Sequence, residues 1–98
     1  QAVSRFPSST IDLAFVGPDD VPAAAVERTI REAAGSALES VRLFDVFRSD
    51  AIGAGRVSLA FSLRFRAADR TLTDDDVAAL RTSVISAVAR THAAELRA

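Results

Sequence analysis

Leu43 to Thr73 reads LFDVFRSDAIGAGRVSLAFSLRFRAADRTLT, and its second half decides the fold. From Val57 to Arg66, Val57, Leu59, Phe61, Leu63 and Phe65 alternate with Ser58, Ala60, Ser62, Arg64 and Arg66. A period of two is the repeat of a strand, so one face of this strand is apolar and the other small and basic. The preceding run, Val41 to Arg48, is also strand-like. Its alternation is imperfect, because Leu43 and Phe44 are both apolar and so are Val46 and Phe47. A bulge, or an edge strand covered on both sides, accounts for that. Ser49 to Gly55 joins the two runs as a hairpin connection, with Gly53 and Gly55 supplying unusual backbone angles.

Working outward, Ile11 to Val16 is the first strand. Ile11, Leu13 and Phe15 point one way; Asp12, Ala14 and Val16 point the other. Gly17-Pro18-Asp19-Asp20 ends it as a turn. Val21 to Ala34 is the first helix, with Asp20 expected as its N-cap and Pro22 in its first turn. Val26, Ile30, Ala33 and Ala34 form its buried stripe, Glu27 and Arg31 an i, i+4 pair, and Gly35 its stop. Ala67 to Leu72 turns the chain. Thr73 then caps a second helix running to about Thr91, with Asp76 in the capping-box position and Val77, Leu80, Val84 and Val88 as the buried stripe. Asp74, Asp75 and Asp76 read as complements of the helix dipole rather than as a metal site. Ala94 to Arg97 is a tail that can form a last edge strand. The order βαββα, with a final β, is that of an α+β ferredoxin-like βαββαβ sandwich: an antiparallel sheet with two helices on one face.

Composition narrows the chemistry. Ninety-eight residues make one domain. Cysteine is absent, which removes disulfides, thiol nucleophiles and zinc–thiolate sites and fits a cytoplasmic location. One histidine, His92, rules out a His-based metal cluster within the chain and reads as a helix-end residue. The net charge is −1 and every basic residue is arginine, so any nucleic-acid contact must come from a local patch. No apolar run approaches the roughly 18 residues of a membrane span. Gln1-Ala2-Val3-Ser4 lacks the basic and apolar regions of a secretory signal, and a start other than Met is expected of a piece of a longer chain. No nucleophile–base pair is visible, and Gly53-Ala54-Gly55-Arg56 lacks the Gly-Lys-Ser/Thr end of a phosphate loop.

The apolar sets of the first and third strands face the helices, leaving Asp12, Ala14, Ser58, Ala60, Ser62, Arg64 and Arg66 on an open face. Phe15, Phe61 and Phe65 fall on the core side by parity, so stacking of bases on exposed rings is not expected. Close approach of RNA over Ala and Ser, helped by arginine, is the alternative to an inert solvated face.

Phe6-Pro7, Asp12-Leu13-Ala14, Leu43-Phe44-Asp45-Val46-Phe47, Ser58-Leu59-Ala60-Phe61 and Phe65 to Asp74 (FRAADRTLTD) resemble the ferredoxin-fold anticodon-binding domain that closes the β chain of bacterial phenylalanyl-tRNA synthetase. The resemblance covers about Arg5 to Arg97. It implies a non-catalytic RNA-binding module for the anticodon stem-loop of the phenylalanine tRNA. The parent is implied to be an ATP- and Mg²⁺-dependent ligase of two α and two β chains, with its aminoacylation site on the α chain and no cofactor in this domain. The RNA-facing residues it implies are Asp12, Ala14, Ser58, Ala60, Ser62 and Arg64, with Arg48 and Arg66 at strand ends; Arg70 is assigned to pairing with nearby acids. Two other readings of the same sandwich are a small-molecule-binding or regulatory domain and an acylphosphatase-like enzyme. The second needs an Asn that this sequence lacks.

Overall fold

The computed structural model describes residues 6–97, so the reading of Gln1 to Ser4 lies outside the described residues. Its elements are β1 (Ser9–Pro18), α1 (Ala23–Ala34), β2 (Leu38–Phe47), β3 (Arg56–Phe65), α2 (Asp74–His92) and β4 (Glu95–Leu96), with short 3-10 turns at Gly35–Ala37 and Asp50–Ile52. The sheet is antiparallel throughout, in the order β2-β3-β1-β4. The two helices pack on one of its faces, which is the expected ferredoxin-like sandwich.

β3 sits between β1 and β2, and its alternation sets the core. Phe61, Leu63 and Phe65 are fully buried, with Leu13 and Phe15 beside them on β1. Val26, Ile30 and Ala34 of α1 and Val84 and Val88 of α2 close over that face. Each large side chain so buried contributes about 1.5–3 kcal/mol. The β1–β3 register runs unbroken from Ser9 opposite Phe65 to Pro18 opposite Arg56. The β2–β3 register does not. It slips between Leu38 and Ser40, before the stretch expected as strand, and again between Leu43 and Asp45, where the broken alternation anticipated a bulge.

The helix ends follow local chemistry, with one exception. Thr73 and Asp76 form a capping box: Thr73 Oγ1 accepts from Asp76 N–H (3.1 Å) and the Asp76 carboxylate accepts from Thr73 N–H (2.9 Å). Arg70 donates to the same carboxylate, as the sequence implied. Glu27 and Arg31 pair at 3.3 Å, and Gly35 ends α1 with φ of +67°. The exception is Asp20. Pro22 is the N-cap of α1, with no side-chain cap. Asp20 lies a full two residues ahead of it, within a tight turn closed by Val21 N–H to Pro18 O (3.3 Å) and braced by Asp19 N–H to Gly55 O (2.9 Å). β2 also begins three residues earlier than Val41 and ends at Phe47 rather than Arg48.

A side-chain hydrogen bond joins the middle of α1 to the C-terminal end of α2. Thr29 Oγ1 lies within hydrogen-bond distance of Ala25 O (3.2 Å) and of His92 Nε2 (2.7 Å). Ala93, in the left-handed region at φ 53°, then turns the chain back along β1. Gly17 permits that return, because a Cβ built on it falls 2.7 Å from Ala94 Cβ.

Gly17→Ala is expected to lower unfolding stability by about 1–3 kcal/mol through this overlap, with part recovered in Gly17→Ala/Ala94→Gly; chemical denaturation measures both. The pH dependence of α2 is also determined. Thr73 N–H, then Arg70 and the Thr73 hydroxyl, hold the Asp76 carboxyl down from 3.8 to about 2. A depressed carboxyl contributes stability that is fully present above its unfolded value and is lost as pH falls through the folded one. The melting temperatures of wild type and Asp76→Asn are therefore expected to differ at pH 5 and to converge as pH falls from 3.8 toward about 2.

Candidate nucleic-acid interface

Residues paired across an antiparallel ladder share a face, so the register maps the side of the sheet away from the helices. Its rows, read from β2 across β3 to β1, are Ser40–Arg64–Thr10, Arg42–Ser62–Asp12, Asp45–Ala60–Ala14 and Phe47–Ser58–Val16, the last continued by Glu95 on β4. Asp12, Ala14, Ser58, Ala60, Ser62 and Arg64 thus fall together on one surface. The centre of that surface is a floor of small side chains, Ala14, Ala60 and Ser62, each partly open to solvent.

The structure corrects the expectation that this face carries no aromatic ring. Phe47 is paired with Ser58 and is 39% exposed. Phe44 is 46% exposed, and the Arg42 guanidinium lies 5.8 Å from its ring centroid, so the ring stands on Arg42's side of the sheet. The cause is the slip between Leu43 and Asp45. One extra residue changes the parity, so Leu43 and Val46 point to the helix side while Asp45 and Phe47 point away from it. A signal for Phe47 was present in the sequence. Asp45 cannot face an apolar core, and a residue two positions along a strand shares its face.

A second feature comes from the other edge. Arg97 N–H donates to Ala14 O (2.7 Å), which ties the chain just after β4 to β1. From there the Arg97 guanidinium reaches over the sheet to 5.0 Å from the Phe47 ring centroid. Ser58 lies in the row this pair spans, between Phe47 and Val16, and is only 3% exposed. Of the expected RNA-facing residues, Ser58 alone is thus roofed over in this conformation. No local pattern announces the Arg97–Phe47 contact, because its partners are fifty residues apart on opposite edges of the sheet.

The strand-end arginines are placed differently from the floor. Arg48 follows β2 and lines a cavity of about 250 Å³ in the hairpin with Asp19, Ser49, Asp50 and Arg56, away from the paired rows. Arg66 follows β3, where its backbone N–H donates to Ala37 O (2.9 Å) and its Nε meets Glu39 Oε2 at 2.9 Å. Arg64 Nη1 lies 4.0 Å from the other oxygen of Glu39. Asp12, Glu39, Asp45 and Glu95 offset Arg42, Arg64, Arg66 and Arg97, so the face is mixed in charge rather than basic.

The opposite side offers less. A groove of about 550 Å³ runs between the helices, lined by Thr29, Glu32, Thr82, Ser83, Ser86 and Arg90 among others, and no glycine lines it. Among the described residues no group of three or more His, Cys, Asp or Glu is arranged to hold a metal ion, and no helix is long and apolar enough to cross a membrane.

Comparison with known proteins agrees with this geometry. The chain is 50% identical to the phenylalanine–tRNA ligase beta subunit of Streptomyces avermitilis over 97% of its own length and 11% of the relative's. It is 48% identical to that of Thermobifida fusca over 97% of the chain and 11% of the relative, and 50% identical to that of Corynebacterium diphtheriae over 98% and 12%. The chain thus spans about a tenth of the length of the curated relatives it matches. The profile of the ferredoxin-fold anticodon binding domain matches residues 4–97, nearly the whole chain. With the four-stranded sheet, the two helices on one face and the strand motifs in place, the chain belongs to the ferredoxin-fold anticodon-binding domain family.

Proposed function

We propose that this chain holds the anticodon stem-loop of the phenylalanine tRNA on its open sheet face, as the anticodon-binding domain of a phenylalanine–tRNA ligase β chain. The observation that carries the reading is the small-residue floor of Ala14, Ala60 and Ser62, bordered by the Phe47 ring with the Arg97 guanidinium above it. RNA loops are read by splaying out unstacked bases, stacking them on rings or guanidinium planes, and hydrogen-bonding their edges. A base laid over Ala14 and Ala60 meets no side chain larger than a methyl group. The Asp12 carboxylate accepts hydrogen bonds only, so it favours a base edge that presents an amino group. The Ser62 hydroxyl beside it both donates and accepts. Phe47 offers a π-face to a base, and Arg97 closes over that base or swings away, uncovering Ser58. Arg42, on the β2 side of the floor, and Arg64, at its end on β3, are placed to meet phosphates. Arg48 and Arg66 are subsidiary contacts at the strand ends.

In this reading the domain performs no chemistry. Its contribution to aminoacylation is positional: holding the anticodon end fixes where the acceptor end arrives. ATP and Mg²⁺ serve the aminoacylation site on the α chain of an α2β2 parent in the cytoplasm, and the second β chain completes the assembly. With only two to four phosphate contacts, roughly, the domain alone binds weakly and with strong salt dependence.

The test is a titration of the domain with the anticodon stem-loop of the phenylalanine tRNA and with a scrambled loop, at low and moderate salt. The native loop is expected to bind more tightly. Phe47→Ala is expected to weaken it about tenfold, the scale of one lost stacking contact. Arg64→Ala is expected to weaken both loops and to lower the salt slope by about 1. Equal binding of the two loops, or no effect of either substitution, overturns the reading.

A further inference from the structure

The upper end of the open face holds a cluster that the RNA reading does not absorb. Glu39 occupies the first register slip of β2, between Leu38 opposite Phe65 and Ser40 opposite Arg64. Strict alternation from Leu38, which faces the core, would return Ser40 to the core side. The extra residue instead puts both Glu39 and Ser40 on the side of Arg64. A bulge re-aims a side chain, and here it delivers a carboxylate between two arginines. Glu39 Oε2 is 2.9 Å from Arg66 Nε, and Oε1 is 4.0 Å from Arg64 Nη1. The carboxylate is itself 40% exposed and Arg64 is 53% exposed, so an incoming anion reaches Arg64 first, while Arg66, at 23%, is the more enclosed partner.

We propose that Glu39 is an affinity-limiting residue: its carboxylate pairs with Arg66, stands beside Arg64 and competes with RNA phosphate for both. The proposal rests on the RNA-binding reading. Its physical basis is that a guanidinium presents a fixed fork of donors that fits a carboxylate and a phosphate equally well. An arginine already paired with a carboxylate has to exchange partners when RNA arrives, and the displaced carboxylate then stands beside the polyanion. A domain whose own arginines are half-neutralised binds and releases its ligand readily. Exposed ion pairs are weak enough for such an exchange, because solvent and salt screen them. The other acids on the face do not share the role. Asp12 and Asp45 lie in rows further along the sheet, and Glu95 is on β4.

Glu39→Gln keeps the size and hydrogen-bonding capacity of the side chain and removes its charge. Binding of the anticodon stem-loop is measured by the same titration in about 50 mM and about 500 mM salt, spanning strong and weak screening. Glu39→Gln is expected to bind about three- to tenfold more tightly at the lower salt, to lose that advantage at the higher, and to steepen the salt slope by at most about 1, for the one carboxylate charge removed. Adding Arg64→Ala to Glu39→Gln is expected to remove most of the gain, and Glu39→Gln alone is expected to leave the melting temperature nearly unchanged. If wild type binds the native loop and Glu39→Gln binds equally or more weakly, Glu39 orients the arginines rather than competing for them and the proposal is wrong while the RNA reading stands. If neither protein binds RNA, both fall together.

Discussion

β3 is flanked on both sides, by β2 and β1, and such a strand offers only alternate side chains to each face of the sheet. Once Val57, Leu59, Phe61, Leu63 and Phe65 are committed beneath the helices, Ser58, Ala60, Ser62 and Arg64 have no choice of side. A one-residue slip would bring Arg64 into the core and three apolar side chains or more into water, an exchange on the scale of the whole net stability of a small domain. The open face is thus the other half of the same constraint that makes the core. Its small residues carry little stability, which leaves them free to be selected for what lies above them.

The edge strand works in the opposite way. β2 is bonded on one side only, and its two slips against β3 break the parity that β3 keeps. Each break places something on the open face that regular alternation would have withheld. The first brings Glu39 beside Arg64 and Arg66; the second brings Asp45 and Phe47 to the face and leaves Phe44 exposed. Val46 shows the converse. It shares the helix-side face with Leu59, yet it is 47% exposed, so the helices leave this end of the edge strand uncovered. A regular central strand thus supplies the floor, and an irregular edge supplies the rings and charges around it.

This division explains what could be read in the sequence. The parity of β3, the stripes of both helices, the Thr73–Asp76 box and the Gly35 stop are local, and each follows from a spacing of one to four residues. The floor residues Ala14, Ala60 and Ser62 were legible for the same reason. Phe47 has no face assignable from the alternation of the sequence, because a bulge changes parity without changing composition. The charge of Asp45, two positions before it, was the available clue. Arg97 was out of reach, since its place above Phe47 depends on β4 pairing with β1 and on the width of the whole sheet. Asp20 failed as a cap because Pro18 to Val21 closes its own turn first. The pairing of Arg64 and Arg66 with Glu39 combines both difficulties, a bulge and a cross-strand contact.

The central claim is that RNA lies on the face opposite the helices. The most direct measurement is a backbone amide NMR titration of the domain with the anticodon stem-loop of the phenylalanine tRNA. Shifts are expected to concentrate in the central rows of β1 and β3, from Asp12 to Val16 and Ser58 to Ser62, and at Phe44 to Phe47, with α1 and α2 little changed. Shifts concentrated instead along the helix groove, at Thr29, Thr82, Ser86 and Arg90, contradict the account.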